Sequence, residues 1–294
     1  MYDGIHGFWV ASATPLDATG QVDTTVLGDH ARALFAQGCD GLVVFGTTGE
    51  GPSFSTAERV AVVRDLLDQG IAPERLAVGA GFPAIADAVR LCRDTLSFGL
   101  TQVLVLPPYF YRDVTEDGLV DAYARLVDQV NDDRLRLTLY NIPQVSGVRV
   151  PPDVAARLRA RYGRVIAGVK DSSADFAQFR AFRAAAPELA VTVGNEADIG
   201  RALAEGGAGT ICGMGNVAPH LVRAMFRPNP PIETMRAACG LISGPFIALL
   251  KSMLAAQSGQ AGWLNVRPPL RPATLADGTQ RLAQLDALPH QRAA

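Results

Sequence analysis

The stretch from Gly41 to Ala80, GLVVFGTTGEGPSFSTAERVAVVRDLLDQGIAPERLAVGA, contains the unit from which the fold can be predicted. It begins with an apolar run, continues through an amphipathic segment preceded by the cap residue Ser55, and ends on a second apolar run. Neither apolar run alternates with polar residues, which is typical of parallel strands covered on both faces. The stretch therefore predicts a strand, a helix and a second, parallel strand.

The same unit recurs along the chain at intervals of about 30 residues, the spacing of strands that alternate with helices. Eight apolar runs predict strands at residues 8–12, 41–45, 76–79, 102–106, 136–141, 165–170, 190–194 and 209–212. Amphipathic segments predict helices at residues 24–37, 56–68, 84–98, 116–130, 153–161, 175–185, 197–206 and 219–226, with cap residues that include Asp23, Ser55, Thr115 and Ser173.

Eight such units favour an α/β fold of the (β/α)8 type, the TIM barrel, over an open doubly wound sheet. The open sheet is disfavoured because no G-x-G-x-x-G motif follows the first predicted strand. Beyond Phe226, the run Arg227-Pro-Asn-Pro-Pro231 stops the last helix of the barrel, and further helices are expected within residues 232–257 and 274–286. We therefore expect a catalytic barrel over residues 1–226 and a C-terminal helical extension over residues 227–294.

The composition argues against several classes of protein. The formal net charge of the 294 residues is −2, and no Lys/Arg-rich run favours a nucleic acid or an anionic membrane as a partner. No apolar run is long enough to cross a bilayer, and residues 1–10 lack the pattern of a signal peptide, so we expect a cytoplasmic protein. The four cysteines and four histidines are scattered, which predicts reduced core thiols and neither a metal site nor a cofactor.

The use of basic residues points to the chemistry. Of the 27 basic residues, 25 are arginine and only Lys170 and Lys251 are lysine. A guanidinium cannot form an imine with a carbonyl, whereas an amine can, and burial of an amine favours its uncharged, nucleophilic form. Lys170 ends the sixth predicted strand, and catalytic groups of such barrels project from strand ends. The competing interpretation is a buried lysine paired with Asp171; Lys251 is expected to anchor a C-terminal helix.

Two further segments lie at predicted strand ends. Tyr140 lies near the end of the fifth strand, where its phenol can face the lysine and relay protons, although a strand tyrosine is more often a packing residue. The loop Gly46-Thr47-Thr48-Gly49-Glu50-Gly51 follows the second strand, and its amides and hydroxyls can cradle a carboxylate. The competing interpretation of this loop is an ordinary glycine-rich turn.

Together these segments resemble the dihydrodipicolinate synthase / N-acetylneuraminate lyase family of class I aldolases. The resemblance covers residues 4 to about 219, and its motifs occur in family order: GTTGE at 46–50, PYF at 108–110, YNIP at 140–143 and GVK at 168–170. It implies that Lys170 forms a Schiff base with pyruvate, that Tyr140 relays protons over the imine, and that Thr47 passes protons to Tyr140. The remaining site residues that it implies line the substrate pocket: Gly46 and Thr48 at the pyruvyl carboxylate, Gly194, Ile211, and Asn195 and Glu196 toward sugar hydroxyls.

The sequence departs from the family pattern at two positions. Val145 stands where dihydrodipicolinate synthases carry an arginine for a second carboxylate, which favours a 2-keto-3-deoxy-sugar acid as the substrate. Phe110 stands where the family places a tyrosine donated across a subunit interface, and either Tyr109 or Tyr111 is an alternative donor. The same aromatic cluster is expected to be buried in the homotetramer that the resemblance implies.

The leading hypothesis is thus an aldolase that cleaves a 2-keto-3-deoxy-sugar acid into pyruvate and an aldehyde. Two alternatives stay open. One is dihydrodipicolinate synthase or another pyruvate-condensing synthase or dehydratase of the same family. The other is a barrel that binds a 2-oxo acid without catalysis. The phenylalanine at position 110 is the feature that favours it.

Overall fold

Eight strands pair in chain order to close a parallel barrel in the computed structural model, which describes residues 3–289. Each strand is hydrogen-bonded to the next, and the last returns to the first. This confirms the predicted (β/α)8 barrel. The strands are β1 (Gly7–Ala11), β2 (Gly41–Val44), β3 (Leu76–Gly79), β4 (Gln102–Val105), β5 (Arg136–Asn141), β6 (Ile166–Asp171), β7 (Ala190–Val193) and β8 (Gly209–Cys212).

Helices surround the barrel, and within residues 3–289 three more follow it as the predicted C-terminal extension. Those of the barrel are α1 (Thr24–Ala36), α2 (Thr56–Asp68), α3 (Ile85–Ser97), α4 (Glu116–Val130), α5 (Pro143–Ser146), α6 (Pro152–Tyr162), α7 (Phe176–Ala185), α8 (Ile199–Ala204) and α9 (Pro219–Ala224). Those of the extension are α10 (Ile232–Gly240), α11 (Phe246–Ser258) and α12 (Leu275–Asp286).

The strands separate two apolar cores. Along β1, the side chains of Phe8 and Val10 belong to the larger core between the sheet and the helices, whereas Trp9 and Ala11 belong to a smaller cluster inside the barrel. Gly41 makes room for this inner packing, because a Cβ there would lie 2.6 Å from the Trp9 ring. The inner cluster comprises Ile5, Trp9, Ala11, Val43, Ala77, Leu104, Tyr140, Ile142 and Ile211. It fills the barrel, so a ligand can enter only at the mouth.

Besides shifts of one or two residues at the ends of several elements, two local details differ from the sequence prediction. The cap of α7 is Asp175, whose carboxylate accepts from the amide of Ala177, and not the predicted Ser173. Ser173 instead accepts from the amide of Asp175 and so precedes the cap by two residues. The four-residue helix α5 was not predicted because one turn is too short to produce a helical period in the sequence.

Asn216 ties the barrel mouth to α1. Its amide nitrogen donates to the carbonyls of Ala11 and Gly213, and its oxygen accepts from the amide of Ala13. These three bonds fix the orientation of the amide, so the contact of 3.1 Å between this oxygen and His30 Nε2 requires the proton to be on Nε2. Burial lowers the pKa of His30 to about 4, so the ring is neutral at physiological pH.

This histidine predicts a pH-dependent stability. An unfolded chain takes up the His30 proton near pH 6.5 and the folded chain only near pH 4, so the unfolded state binds more protons within that window. The free energy of unfolding should therefore fall by about 3 kcal/mol from this group as the pH drops from 7 to 4. In urea titrations at pH 7, 5.5 and 4.5, His30→Gln, which keeps a donor for Asn216, should lose less stability than the wild type. Parallel curves for the two proteins would contradict this assignment.

Candidate active site

Lys170 and Tyr140 meet at the mouth of the barrel. They are paired in register on the neighbouring strands β6 and β5, so their side chains point into the same interior. Lys170 is 4% exposed and Tyr140 is 3% exposed. Lys170 Nζ lies 3.2 Å from Tyr140 Oη and 4.3 Å from the centroid of the ring. The amine is thus within direct proton-transfer distance of a phenol.

The carboxylate next in sequence does not pair with the lysine. Asp171 Oδ1 accepts from the side-chain amide of Asn141 at 2.9 Å and from the backbone amide of Ser173. Successive strand residues point to opposite sides of the sheet, which is why Asp171 turns away from Lys170. Burial raises the pKa of Asp171. Across residues 3–289, no carboxylate lies within salt-bridge distance of Lys170, so the predicted alternative of a Lys170–Asp171 pair is wrong.

The loop after β2 brings a hydroxyl to the same phenol. Thr47 Oγ1 lies 3.5 Å from Tyr140 Oη, which makes a chain of three groups from the lysine through the tyrosine to the threonine. Thr48 is buried at the inner side of this loop. Gly46 accepts a hydrogen bond from the amide of Gly51 and lines a small cleft that adjoins the main cavity. The loop thus presents one threonine to the phenol and the next toward the cavity.

An open cavity of about 410 Å³ covers these groups. Every predicted site residue except Gly46 lines this cavity. Its lining residues are Ala11, Thr47, Thr48, Tyr140, Ile142, Gln144, Val145, Lys170, Ser172, Ala174, Gly194, Asn195, Glu196, Ile211, Gly213, Cys239, Ile242, Ser243 and Phe246. A volume of this size accommodates a small metabolite.

Gly194 gives the lysine its space. A Cβ at this position would lie 1.9 Å from Ser172 Oγ and 3.3 Å from Lys170 Cε. Any side chain here would displace Ser172 and crowd the lysine. The predicted role of Gly194 as a pocket residue therefore has a steric basis, namely the absence of a side chain.

Asn195 and Glu196 reach the cavity, but parts of both side chains are already bonded within the protein. Glu196 Oε1 accepts from the amides of Gly213 and Met214, at 3.1 and 2.9 Å, and so holds the loop that follows β8. The side-chain nitrogen of Asn195 donates to Asp198. These bonds orient the far wall of the cavity.

Comparison with known proteins assigns the chain to a family. The family model of the dihydrodipicolinate synthetase family matches residues 4–278. The chain belongs to this family. An uncharacterized DapA-like lyase of Chloroflexus aurantiacus is 34% identical over 222 residues, which are 75% of this chain and 74% of that protein.

Solved structures agree with this family assignment. The crystal structure of dihydrodipicolinate synthase from Agrobacterium tumefaciens is 31% identical, covers 97% of this chain and 99% of its own, and superposes with a TM-score of 0.89. YagE, a prophage protein of E. coli K12 from the same family, shares the fold at 24% identity and a TM-score of 0.83 over 96% of this chain and 99% of its own; its structure contains pyruvate. The chain is a lyase of the dihydrodipicolinate synthetase family.

The sequence did not point to the part of this lyase's cavity that the C-terminal extension supplies. Cys239 of α10, Phe246 of α11 and the segment between these helices line the wall opposite the barrel strands. Their apolar periodicity is that of ordinary packing helices, and no signal separates these residues from the rest. Burial raises the pKa of Cys239, as does the nearby Glu196, so its thiol stays protonated and is a poor nucleophile.

The aromatic cluster after β4 lies outside the cavity of this lyase. The side chains of Phe110 and Tyr111 are each 74% exposed, and their rings pack edge to face with centroids 5.3 Å apart. Tyr109 is partly buried, which raises its pKa, and it does not line the cavity either. Because the family pattern has this tyrosine act across a subunit interface, its replacement by Tyr109 or Tyr111 stays a prediction about the assembled protein.

The described residues contain neither a metal-binding cluster nor a helix that could span a membrane. Between residues 3 and 289, no cluster of three or more histidine, cysteine, aspartate or glutamate side chains has the arrangement of a metal site. In the same part of the chain, no helix combines the length and the apolar character that crossing a bilayer requires.

Proposed function

We propose that this protein is a class I aldolase that forms a Schiff base between Lys170 and a 2-oxo acid and reversibly releases pyruvate from a 2-keto-3-deoxy-sugar acid. The observation that carries the proposal is the 3.2 Å contact between Lys170 Nζ and Tyr140 Oη at the floor of an open cavity. A buried amine beside a phenol, without a carboxylate partner, is suited to nucleophilic attack on a carbonyl.

In the cleavage direction, Lys170 Nζ attacks C2 of the 2-oxo acid and gives a carbinolamine, which loses water to form the protonated imine. The C4 hydroxyl gives up its proton, the C3–C4 bond breaks, and its electron pair moves toward the imine nitrogen. An aldehyde leaves and an enamine of pyruvate stays on the lysine. Protonation of C3 followed by hydrolysis of the imine releases pyruvate. Tyr140 lies where it can carry each of these protons, and Thr47 is the next group along the chain of contacts.

The carboxylate of the 2-oxo acid fits at the loop after β2. Thr48 lines the cavity next to Thr47, and hydroxyl and amide groups of such a glycine-containing loop can bind an anion. Such an arrangement binds an anion without a cationic side chain and leaves Lys170 free to react.

The lining of the cavity favours an uncharged aldehyde as the product that is released besides pyruvate. Lys170 is the one cationic side chain among the described lining residues, and Val145, 56% exposed, stands at the rim. The lining also contains neutral polar side chains, namely Gln144, Ser172, Asn195 and Ser243, and the carboxylate of Glu196. Hydroxyl groups of a short polyhydroxy aldehyde can hydrogen-bond to such groups, whereas a second carboxylate or a phosphate would be desolvated without a cation.

Reductive trapping tests the proposal. Incubation with pyruvate and borohydride should attach one pyruvyl group irreversibly to each chain, at Lys170, as seen by mass spectrometry of its peptide. Pretreatment with borohydride alone provides the control. An unmodified Lys170 after this treatment would refute the Schiff-base mechanism.

Dihydrodipicolinate synthase, or another pyruvate-condensing synthase or dehydratase, is the second candidate. The 31% identity to the Agrobacterium enzyme favours it, and the valine at position 145 disfavours it. A panel that contains aspartate semialdehyde and uncharged hydroxyaldehydes, each with pyruvate, separates the two candidates by their products. A barrel that only binds a 2-oxo acid is the third candidate, favoured by Phe110, and calorimetric binding of pyruvate without turnover on the whole panel would support it.

We further propose that the chain assembles as a homotetramer. Two neighbouring aromatic side chains that are each 74% exposed, Phe110 and Tyr111, are best explained by a partner that covers them. Light scattering after size exclusion should give about four times the mass of the 31.1 kDa chain, and Phe110→Asp/Tyr111→Asp should give a smaller species. A wild type that stays monomeric at micromolar concentration would contradict the assembly.

A further inference from the structure

The second lysine of the chain is also buried, and it contacts the loop that carries Thr47 and Thr48. Lys251, in the middle of α11, is fully buried, and its Nζ lies 2.6 Å from Oε1 of Glu50, which is equally inaccessible. Glu50 Oε2 accepts from the backbone amide of Arg267 at 2.9 Å. Both oxygens of Glu50 are therefore bonded to the C-terminal extension, about 200 residues away in sequence.

The backbone at Glu50 is in a conformation that glycine prefers. Its φ is 56°, and it lies between Gly49 and Gly51. A glycine at this position would avoid the strain, so the contacts of the carboxylate must offset what the backbone loses. Phe45, at the other end of the loop, has a φ of 57° and packs its ring against Phe54. Both ends of the loop are thus held in the left-handed region by buried side-chain contacts.

The turn that contains Glu50 also fixes Thr47. The amide of Glu50 donates to the carbonyl of Thr47 at 3.2 Å, and the amide of Gly51 donates to that of Gly46 at 3.0 Å. Any movement of the Glu50 backbone is therefore transmitted to the threonine whose hydroxyl is 3.5 Å from Tyr140 Oη. At that distance the contact is at the limit of a hydrogen bond, and a small shift of the loop would break it.

Burial lowers the pKa of Lys251, while the adjacent carboxylate opposes the shift. A buried ion pair is seldom the most stabilising solution for a core, since well-packed apolar groups often do as well. Its bonds are, however, directional and tie one helix to one loop. The fully buried pair therefore fits a role in orientation better than a role in stability alone.

We propose that Lys251 and Glu50 are positioning residues of the active site, which hold the Thr47–Thr48 loop against Tyr140 and in place for the carboxylate of the 2-oxo acid. This rests on the proposed function for its kinetic part. It assigns to α11 a part in 2-oxo acid binding, in addition to the wall of the cavity that Phe246 supplies.

The test compares the wild type with Glu50→Gln/Lys251→Met, in which neither residue is charged. A single Lys251→Met variant would leave a buried carboxylate without its cation and is prone to misfold, whereas the double change removes both charges together. The amides of Glu50 and Gly51 should exchange hydrogen at least about tenfold faster in the double variant, because local opening of the loop becomes easier. The KM for pyruvate and the half-time of borohydride trapping at low pyruvate should both rise about tenfold or more, the scale expected of a displaced binding group.

The matched control is Met253→Leu, a change of similar size in a buried residue of the same helix that does not line the cavity. Its loop exchange, pyruvate KM and trapping rate should equal those of the wild type. The KM for the aldehyde should be unchanged in both variants. A general loss of structure would instead raise the KM for the aldehyde together with the KM for pyruvate. A folded double variant with wild-type loop exchange and pyruvate KM would overturn the proposal. A wild type that pyruvate and borohydride do not modify would instead refute the proposed function, and the exchange of the loop amides would still decide whether the pair holds the loop.

Discussion

Lys170→Arg is expected to reduce turnover by about 10⁴-fold or more, the scale of loss when a covalent nucleophile is removed. The substitution keeps the positive charge and most of the length of the side chain, but a guanidinium stays protonated and does not form an imine. Steady-state kinetics with pyruvate and the best aldehyde of the panel measure the loss. The same variant should also resist modification by pyruvate and borohydride.

Lys170→Met tests whether the lysine acts by its positive charge. If the lysine acted mainly by its charge on a bound carboxylate, the arginine variant would retain much of the activity and only the methionine variant would lose it. Equal losses in the two variants are expected from the Schiff-base mechanism. An arginine variant within tenfold of the wild-type rate would refute the nucleophilic role of Lys170.

Tyr140→Phe is expected to lower kcat by about 10²–10⁴-fold, the contribution of a positioned proton donor or acceptor. Only the Oη atom is removed, and the ring still packs in the inner cluster of the barrel. Its loss separates Lys170 from Thr47, because Oη lies 3.2 Å from one and 3.5 Å from the other. The KM for pyruvate should change little, since no contact in the proposed carboxylate site is lost.

Tyr123→Phe is the matched control for this change. Tyr123 is as buried as Tyr140, and its hydroxyl lies 3.5 Å from the carbonyl of Val105, but it does not line the active-site cavity. Both variants lose one phenol hydroxyl, with an expected cost in unfolding free energy of about 1 kcal/mol. Only Tyr140→Phe should lose turnover. A kcat equal to that of the control would exclude Tyr140 as the proton relay.

The barrel and the centre of the site could be predicted because both depend on local patterns. Strand positions follow from apolar runs, and strands that pair in chain order bring the end of β5 beside the end of β6. The predicted meeting of Tyr140 and Lys170 needed no further information than this order. Neighbouring residues of a strand point to opposite faces of the sheet, and this alternation argues against Asp171 as the partner of Lys170.

The contributions of the C-terminal extension could not be predicted in the same way. Glu50 and Lys251 are far apart in sequence, and no period or spacing relates a loop residue to the middle of a distant helix. The wall that Phe246 and Ile242 supply is equally invisible, because these residues have the character of ordinary core positions. The rarity of lysine was the one available signal, since a chain that uses arginine on its surface retains lysine for buried positions.

That rarity has a practical consequence. Both lysines lie inside the fold, 4% and 0% exposed, so the positive charge of side chains outside it comes from guanidinium groups alone. Acetylation of lysine therefore cannot modulate the outer charge of this protein, and while it is folded a small succinimidyl ester can reach only Lys170, through the open cavity. A lysine-specific protease should cleave only chains that have unfolded. The fraction of this protein that is cleaved in a crude extract therefore reports the fraction that unfolds.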